Sequence, residues 1–336
     1  MSNNLPPQAV LSQMINGYWT TFSIVAAARL GIADQLASGP RTIAELAERT
    51  DTNPEALYRL LRALASVGVF AESEPHTFAQ TPLSEPLRSG VPGSLRGLAA
   101  MSGMLHLRAW PEILHSVRTG KTAFEKSFGK EVFAYLETDA EAAAAFDEAM
   151  TGYTAATSKA VAATWDFTAC RHIVDVGGGK GALLAEILKA NGSARGTNFD
   201  LPHVASRGRE HIAREGLADR CESVGGDFFE AVPANGDAYL MKMIVHDWDD
   251  ARAIAILKNV RKAMAANGRV LLIEAVIPPG NAPSPGKLLD VNMLVMTGGR
   301  ERTEEEFREL YRESGFELVR IVPAHPTASI IEGRPV

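Results

Sequence analysis

His246 closes an apolar run, Lys242-Met243-Ile244-Val245-His246-Asp247-Trp248. A neutral imidazole, with an ordinary pKa of about 6.5, can accept a proton near neutral pH. Taken alone, a histidine at the end of a strand is most often structural. Glu274 lies in Leu271-Leu272-Ile273-Glu274-Ala275-Val276-Ile277, and a carboxylate within so apolar a strand needs a partner. Glu301 follows Gly298-Gly299-Arg300, where it opens the next helix and could equally be a first-turn acid favoured by the helix dipole. A carboxylate on one ring nitrogen of an imidazole fixes the tautomer and steadies the imidazolium once the other nitrogen has taken a proton. Asp247, Asp249 and Asp250 could suggest a divalent-cation site, but Asp249 reads more simply as a helix N-cap.

A second group of residues suits a ligand rather than a proton. Ile173-Val174-Asp175-Val176 runs into Gly177-Gly178-Gly179-Lys180-Gly181 and then into a helix. Glycines there let a ligand approach the backbone and free N–H groups at a helix start. Gly177, Gly179 and Ala182 also satisfy the dinucleotide fingerprint G-x-G-x-x-G/A, and Asp200, ending the next strand, could hold ribose hydroxyls in either case. Asp175, two residues before Gly177, gives the acidic-x-Gly-x-Gly form usual for S-adenosylmethionine sites. Gly226-Asp227-Phe228 follows the third strand and offers a carboxylate and a ring to an adenine, or else an ordinary turn with a core Phe.

The elements that must carry these residues fall into two textures. The first 100 residues read as helical. Val10 to Ala37 is apolar and stops at Ser38-Gly39-Pro40; Thr42 and Glu45 form a capping box; Asn53 caps a helix from Pro54 to Val67; Val69–Glu72 and Thr77–Gln80 suggest a hairpin. Helix, turn, helix and hairpin make a winged-helix pattern. Its charges between residues 41 and 62 cancel, so nucleic acid is not an expected partner, and packing against another subunit is the better use of the apolar N-terminal helices. From Arg171 onward strands alternate with helices: His172–Val176, Gly196–Asp200, Cys221–Val224, Asp237–Met243 and Arg269–Ala275 are separated by Gly181–Ala190, His203–Glu215 and Ala251–Met264. This is the pattern of a doubly wound α/β sheet. After a helix Thr303–Ser314, two strands, Phe316–Val322 and Thr327–Ile331, close the chain as an edge hairpin with Pro323 and Pro326 in its turn.

Bulk properties narrow the classes. The chain has 336 residues, 46% hydrophobic and 22% charged, with a formal net charge of −6 and two cysteines. That is globular composition, with too few thiols for a disulfide framework or a thiolate zinc site. Met1 to Leu11 has no signal-peptide pattern, and Phe22 to Ala33 is short and interrupted by Arg29, so no membrane partner is expected and a cytoplasmic setting is.

With these motifs in order, the whole chain resembles the small-molecule O-methyltransferase family of plant caffeate and flavonoid enzymes, animal acetylserotonin methyltransferases and bacterial antibiotic-tailoring relatives. The resemblance runs through Asp175-Val176-Gly177-Gly178-Gly179, Asp200-Leu201-Pro202-His203-Val204, Gly226-Asp227-Phe228-Phe229, the His246 segment, Leu272-Ile273-Glu274 and Gly298 to Thr303. It implies a class I, seven-stranded methyltransferase sheet with a C-terminal antiparallel hairpin, preceded by a winged-helix dimerisation domain. The expected division is 1–100 for dimerisation, 101–165 as a helical linker contributing to the substrate pocket, and 166–336 for cofactor binding. It implies S-adenosyl-L-methionine as cofactor, held by Gly177, Asp200, Leu201, Gly226, Asp227, Phe228 and Lys242. It implies His246 as general base braced by Glu274 and Glu301, no metal, and a homodimer. Trp110, Phe146, Met150, Asp247, Met293 and Met296 are expected at the pocket for a small, hydroxylated aromatic acceptor, and Thr154 falls near a family residue that touches the cofactor. Other readings stay open on sequence alone: a cofactor-binding relative with hydroxylase or decarboxylase chemistry, a winged-helix regulator with a sensor domain, or an NAD-dependent dehydrogenase.

Overall fold

The computed structural model describes residues 5–336, with the side chain of Thr154 outside the described set. The chain divides into two compact units, one formed by 1–108 with 139–153, the other by 109–138 with 154–336. The segment 101–165 is thus shared between them.

In the first unit, the apolar N-terminal run expected as one helix is three: Pro7–Ile15, Gly17–Arg29 and Ile32–Gln35. Asn16 caps the first, and Gly31, at φ 64°, turns the chain between the second and third in a conformation that suits glycine. The Thr42–Glu45 capping box forms, with both reciprocal bonds present, and Asn53 Oδ1 accepts the Ala56 N–H to start helix Pro54–Ser66. The hairpin Phe70–Glu74 and Thr77–Gln80 is joined at its far edge by the two residues Arg41–Thr42. Phe70 and Phe78 sink fully into a core with Leu46, Leu57, Leu61 and Leu64. Sequence reasoning left the details of 96–153 open; here helix Arg96–Met101 and the first part of helix Ala140–Thr164 meet backbone to backbone. A Cβ on Gly97 would lie 2.6 Å from the Ala149 nitrogen, and one on Gly152 only 1.8 Å from the Ser94 carbonyl oxygen.

The second unit is built on a seven-stranded sheet: β1 His172–Val176, β2 Arg195–Asp200, β3 Cys221–Gly225, β4 Ala238–Lys242, β5 Arg269–Glu274, β6 Phe316–His325 and β7 Ala328–Pro335. Their spatial order is β3-β2-β1-β4-β5-β7-β6, with β7 antiparallel to both neighbours and the first five strands parallel. The order reverses beside β1, which opens a crevice beyond the carboxyl ends of β1 and β4. The central strands β1, β4 and β5 are covered on both faces and are apolar at successive positions. Val174, Met241 and Leu272 pack on one face with Ile256, Leu257, Phe307 and Tyr311. Ile173, Leu240 and Leu271 pack on the other with Leu183, Leu184, Ile187 and Ile212. The closing hairpin sits at the sheet edge as expected, but β6 runs on through Pro323 to His325, and a register shift beside Ser329 accommodates the proline. A helix over Pro285–Met296, for which no element was assigned from sequence, lies between β5 and the last helix, Glu304–Glu313. Its proline at the first turn and its Ser284 cap are ordinary start signals.

The tight crossing in the first unit gives a direct test. Gly152→Ala is expected to lower the free energy of unfolding by about 1–3 kcal/mol in a denaturant titration, the usual cost of overpacking; an unchanged midpoint would show that the helices separate freely there.

Candidate active site

The crevice at the carboxyl edge of the sheet gathers both groups of residues from the sequence. After β1 the chain turns through Gly177 (φ 70°), Gly179 (φ 59°) and Gly181 (φ 79°), conformations that L side chains rarely adopt. A Cβ on Gly177 would also meet Ile244 at 2.4 Å. The loop is tied to β2: Gly177 N–H donates to the Phe199 carbonyl at 2.8 Å, and Gly179 N–H to Asp200 Oδ2 at 2.8 Å. The other Asp200 oxygen accepts the Leu201 N–H at 2.7 Å. Asn198 Nδ2 donates to the Gly179 carbonyl and to Ser223 Oγ, backing the loop from behind. Asn198 and Ser223 were not singled out from sequence, because polar residues inside a strand carry no motif.

Asp175 lies buried at the end of β1, and neither carboxylate oxygen has a hydrogen-bond partner among the described residues. Burial pushes its pKa up to about 7, against the pull of Lys242. Lys242, ending β4, is brought down to about 8 by burial, with Asp175 acting in the opposite direction; its Nζ donates to Ser158 Oγ at 3.3 Å. Gly226 stands where a Cβ would strike the Phe199 ring at 2.6 Å, and its N–H donates to the Asp200 carbonyl. Asp227 Oδ1 accepts the Phe229 N–H at 2.8 Å, while Phe228 packs edge-on to Phe229 and Trp248. Left-handed glycines and the buried Asp175, whose oxygens make no hydrogen bond among the described residues, suit a ligand bearing hydroxyl and ammonium donors.

His246 differs from expectation in its element. Strand β4 stops at Lys242, Met243 takes φ 55°, and His246 sits on the short 3₁₀ turn Val245–Asp247. A non-glycine residue in that region costs energy and persists only where the surroundings over-determine it. Here Glu274, ending β5, does so: its Oε1 accepts the N–H groups of Ile244 and Val245 at 3.0 and 3.1 Å. Glu274 Oε2 remains 3.6 Å from His246 Nδ1. The direct partner of the ring is Glu301, whose Oε1 lies 2.6 Å from Nδ1. Since an ionised carboxylate only accepts, Nδ1 carries the proton. Glu301 does not open a helix. It precedes the Thr303 N-cap, in an extended segment that bridges Val276, and its own N–H donates to Asp290 Oδ1 at 2.9 Å. Asp290 lies on the helix missed from sequence, which is why its part could not be read there.

Nε2 makes no hydrogen bond among the described residues and lies 3.8 Å from Asp247 Oδ1. Burial alone would depress the imidazole pKa, but the Glu274, Asp247 and Glu301 carboxylates outweigh it and raise it to about 10. Burial in turn raises Glu274 to about 7 and Asp247 to about 6. The His246, Glu274 and Glu301 ligand atoms lie within 4.8 Å of one another, a spacing that a divalent ion could also bridge. Asp249 is the N-cap of helix Asp250–Ala263, accepting the Arg252 N–H at 2.8 Å. Of the other expected pocket residues, Trp110 Nε1 donates to Asn292 Oδ1 at 3.0 Å, on the helix that also carries the buried Met293 and Met296. Phe146 and Met150 belong to the first unit, on helix Ala140–Thr164.

Comparison with known proteins agrees with this architecture. Residues 110–317 match the model of an O-methyltransferase domain, and residues 12–89 that of an O-methyltransferase dimerisation domain. The phenazine O-methyltransferase PhzM of Lysobacter antibioticus is 48% identical over 99% of this chain and 97% of its own length. The phenazine-1-carboxylate N-methyltransferase of Pseudomonas aeruginosa is 35% identical over 96% and 95%. The crystal structure of LaPhzM superposes with a TM-score of 0.96 at 48% identity, covering 99% of this chain and all of that one. The O-methyltransferase NcsB1 from neocarzinostatin biosynthesis, in complex with S-adenosylmethionine and 2-hydroxy-5-methyl naphthoic acid, gives a TM-score of 0.82 at 34% identity over 95% and 96%. The chain therefore belongs to the S-adenosylmethionine-dependent O-methyltransferase family of bacterial secondary metabolism, and is a methyltransferase with its own dimerisation domain.

Proposed function

We propose that this methyltransferase transfers the methyl group to a hydroxyl of a small aromatic molecule, with His246 as general base. The observation that carries this reading is the commitment of Nδ1 to Glu301 at 2.6 Å while Nε2 makes no hydrogen bond among the described residues, its nearest carboxylate oxygen being Asp247 Oδ1 at 3.8 Å. S-adenosylmethionine supplies an electrophilic methyl carbon on a sulfonium. A phenol, with a pKa near 10, is mostly protonated at neutral pH, so its oxygen needs a proton acceptor as it attacks. Nε2 takes that proton, Glu301 steadies the imidazolium that forms, and Glu274 holds the turn that presents the ring. Such a base contributes roughly 10²–10⁴ in rate. Holding the two reactants in line supplies the other large part of the acceleration. Gly177, Asp200, Leu201, Gly226, Asp227, Phe228 and Lys242 are the residues proposed to hold the cofactor. Trp110, Asp247, Met293 and Met296 are proposed to face the acceptor.

A preference for oxygen over nitrogen is favoured by an imidazole aligned on a carboxylate, because a neutral ring nitrogen needs no deprotonation before attack. The acceptor names borne by the relatives, phenazine and naphthoic acid, support a flat aromatic substrate. Among the described residues no helix is long and apolar enough to cross a membrane. A cytoplasmic setting is proposed, in keeping with the free, buried Cys170 and Cys221. The dimerisation domain exposes Leu11, Met14, Ile15, Tyr18, Trp19 and Phe22, a surface that supports a homodimer. The charge balance of the winged helix gives no support to nucleic-acid binding.

Three outcomes test this reading. His246→Ala is expected to keep the melting shift produced by S-adenosylhomocysteine and to lose about 10²–10⁴ of methyl transfer across a panel of hydroxylated phenazines and naphthoates. Transfer at the parental rate would remove His246 as the base, and loss of parental activity on dialysis against EDTA, restored by a divalent ion, would make the cluster a metal centre. Asp200→Ala is expected to abolish the melting shift itself, and an unaltered shift would move the ribose site elsewhere. The pH dependence has a definite sign. Carboxylates that hold the resting imidazolium to about 10 keep the base form scarce at neutral pH, so kcat/KM should climb with rising pH well above 6.5. Glu301→Gln removes one of those carboxylates, so the climb should move to lower pH while the plateau falls; a profile identical to the parent would contradict it.

A further inference from the structure

Arg302 is the largest fully buried side chain of the protein among those described, with none of its surface exposed. A guanidinium cannot shed its charge, so such burial is tolerated only where its donors are met. Its nearest anion, Asp250, is half-exposed and accepts from Nε at 2.9 Å and from Nη2 at 2.8 Å. The remaining donors go to backbone. Nη1 donates to the Val245 carbonyl at 2.9 Å and to the Arg300 carbonyl at 3.3 Å, and Nη2 donates to the Trp248 carbonyl at 3.0 Å. Val245 and Trp248 bracket His246 and Asp247. The fork therefore joins the two ends of the turn that carries the imidazole.

The neighbours of Arg302 act on the same turn. Arg300 N–H donates to the His246 carbonyl at 2.8 Å, and Glu301 meets His246 Nδ1. Gly299 lies so close beneath that a Cβ there would stand 2.0 Å from the His246 carbonyl oxygen. Three consecutive residues thus grip one histidine, at its carbonyl, at its ring and at the carbonyls on either side. The extended backbone at 301–302, bridged to Val276, sends Glu301 and Arg302 to different parts of that turn.

We propose that Arg302 is a positioning residue for His246: its guanidinium sets the 3₁₀ turn at the height where Glu301 can reach Nδ1 and Nε2 is left for the acceptor. This rests on the reading of His246 as the base, but its first readout does not depend on that reading. The Nδ1 proton, held in a short hydrogen bond to a carboxylate, should give a proton resonance downfield of the amide envelope, identified by its disappearance in His246→Ala. Arg302→Lys keeps the positive charge and loses the fork. In that variant the resonance should be lost or moved upfield, and the His246 titration midpoint should fall by about one unit or more as its carboxylate contact loosens. The melting shift with S-adenosylhomocysteine should stay at the parental value, and methyl transfer should drop about 10²-fold in kcat, as expected for a misplaced base.

An unchanged resonance and midpoint in folded Arg302→Lys would overturn the proposal, as would equal losses of cofactor binding and kcat. If Arg302→Lys does not fold, Asp250→Ala decides. It frees the fork from its one carboxylate at a half-exposed position, and an upfield shift of the same resonance supports positioning while an unmoved one overturns it. Should His246→Ala methylate normally while Arg302→Lys still displaces the resonance, the clamp stands and the base assignment alone fails.

Discussion

The 2.6 Å contact between His246 Nδ1 and Glu301 Oε1, formed where both side chains are out of water, is the constraint around which the catalytic unit is arranged. An imidazole and a carboxylate placed there are costly unless met by each other or by backbone, and Glu301 Oε2 still has no hydrogen-bond partner among the described residues. The surrounding structure reads as the means of satisfying them. Glu274 uses one oxygen on two backbone N–H groups of the turn, Asp290 receives the Glu301 N–H, and Arg302 closes the carbonyls on either side. The left-handed Met243 is the local strain that this network sustains.

The same sheet edge delivers the second half of the site. Strands β1, β4 and β5 end side by side, so the glycine loop, Lys242 and Glu274 emerge together without any long connection. Asp175 and Lys242 are coupled electrostatically within the glycine-loop half: burial destabilises each charge, and each favours the charged form of the other. A ligand that offered donors to Asp175 would change the balance of that pair.

Much of the architecture was legible in the residues. Capping boxes and N-caps fixed helix starts at Thr42, Asn53 and Asp249, since side-chain oxygens on free N–H groups are local chemistry. Strands β1, β4 and β5 were readable because burial on both faces makes apolar runs that glycine and charge interrupt. What escaped was what depends on tertiary geometry. The break at Asn16 lies inside an apolar run whose composition is helical on both sides. The helix Pro285–Met296 follows a proline-rich stretch that looks like loop. His246 was placed on a strand, and Glu301 on a helix, because apolar Ile244-Val245 mimics strand and the three acids after Thr303 mimic a first turn that begins only at Glu304. Arg302 lies in the segment Gly298 to Thr303 that carries the resemblance, but its part there became legible only from its burial.

The central claim is that an imidazole, aligned from behind by a carboxylate, faces the oxygen that receives the methyl group. A crystal structure of the protein with S-adenosylhomocysteine and a hydroxylated aromatic acceptor tests it most directly. The account predicts the acceptor oxygen within about 2.6–3.2 Å of His246 Nε2, with Nδ1 still on Glu301. An acceptor bound beside the cofactor sulfur with its oxygen held by another group, and the ring of His246 turned away, would contradict it.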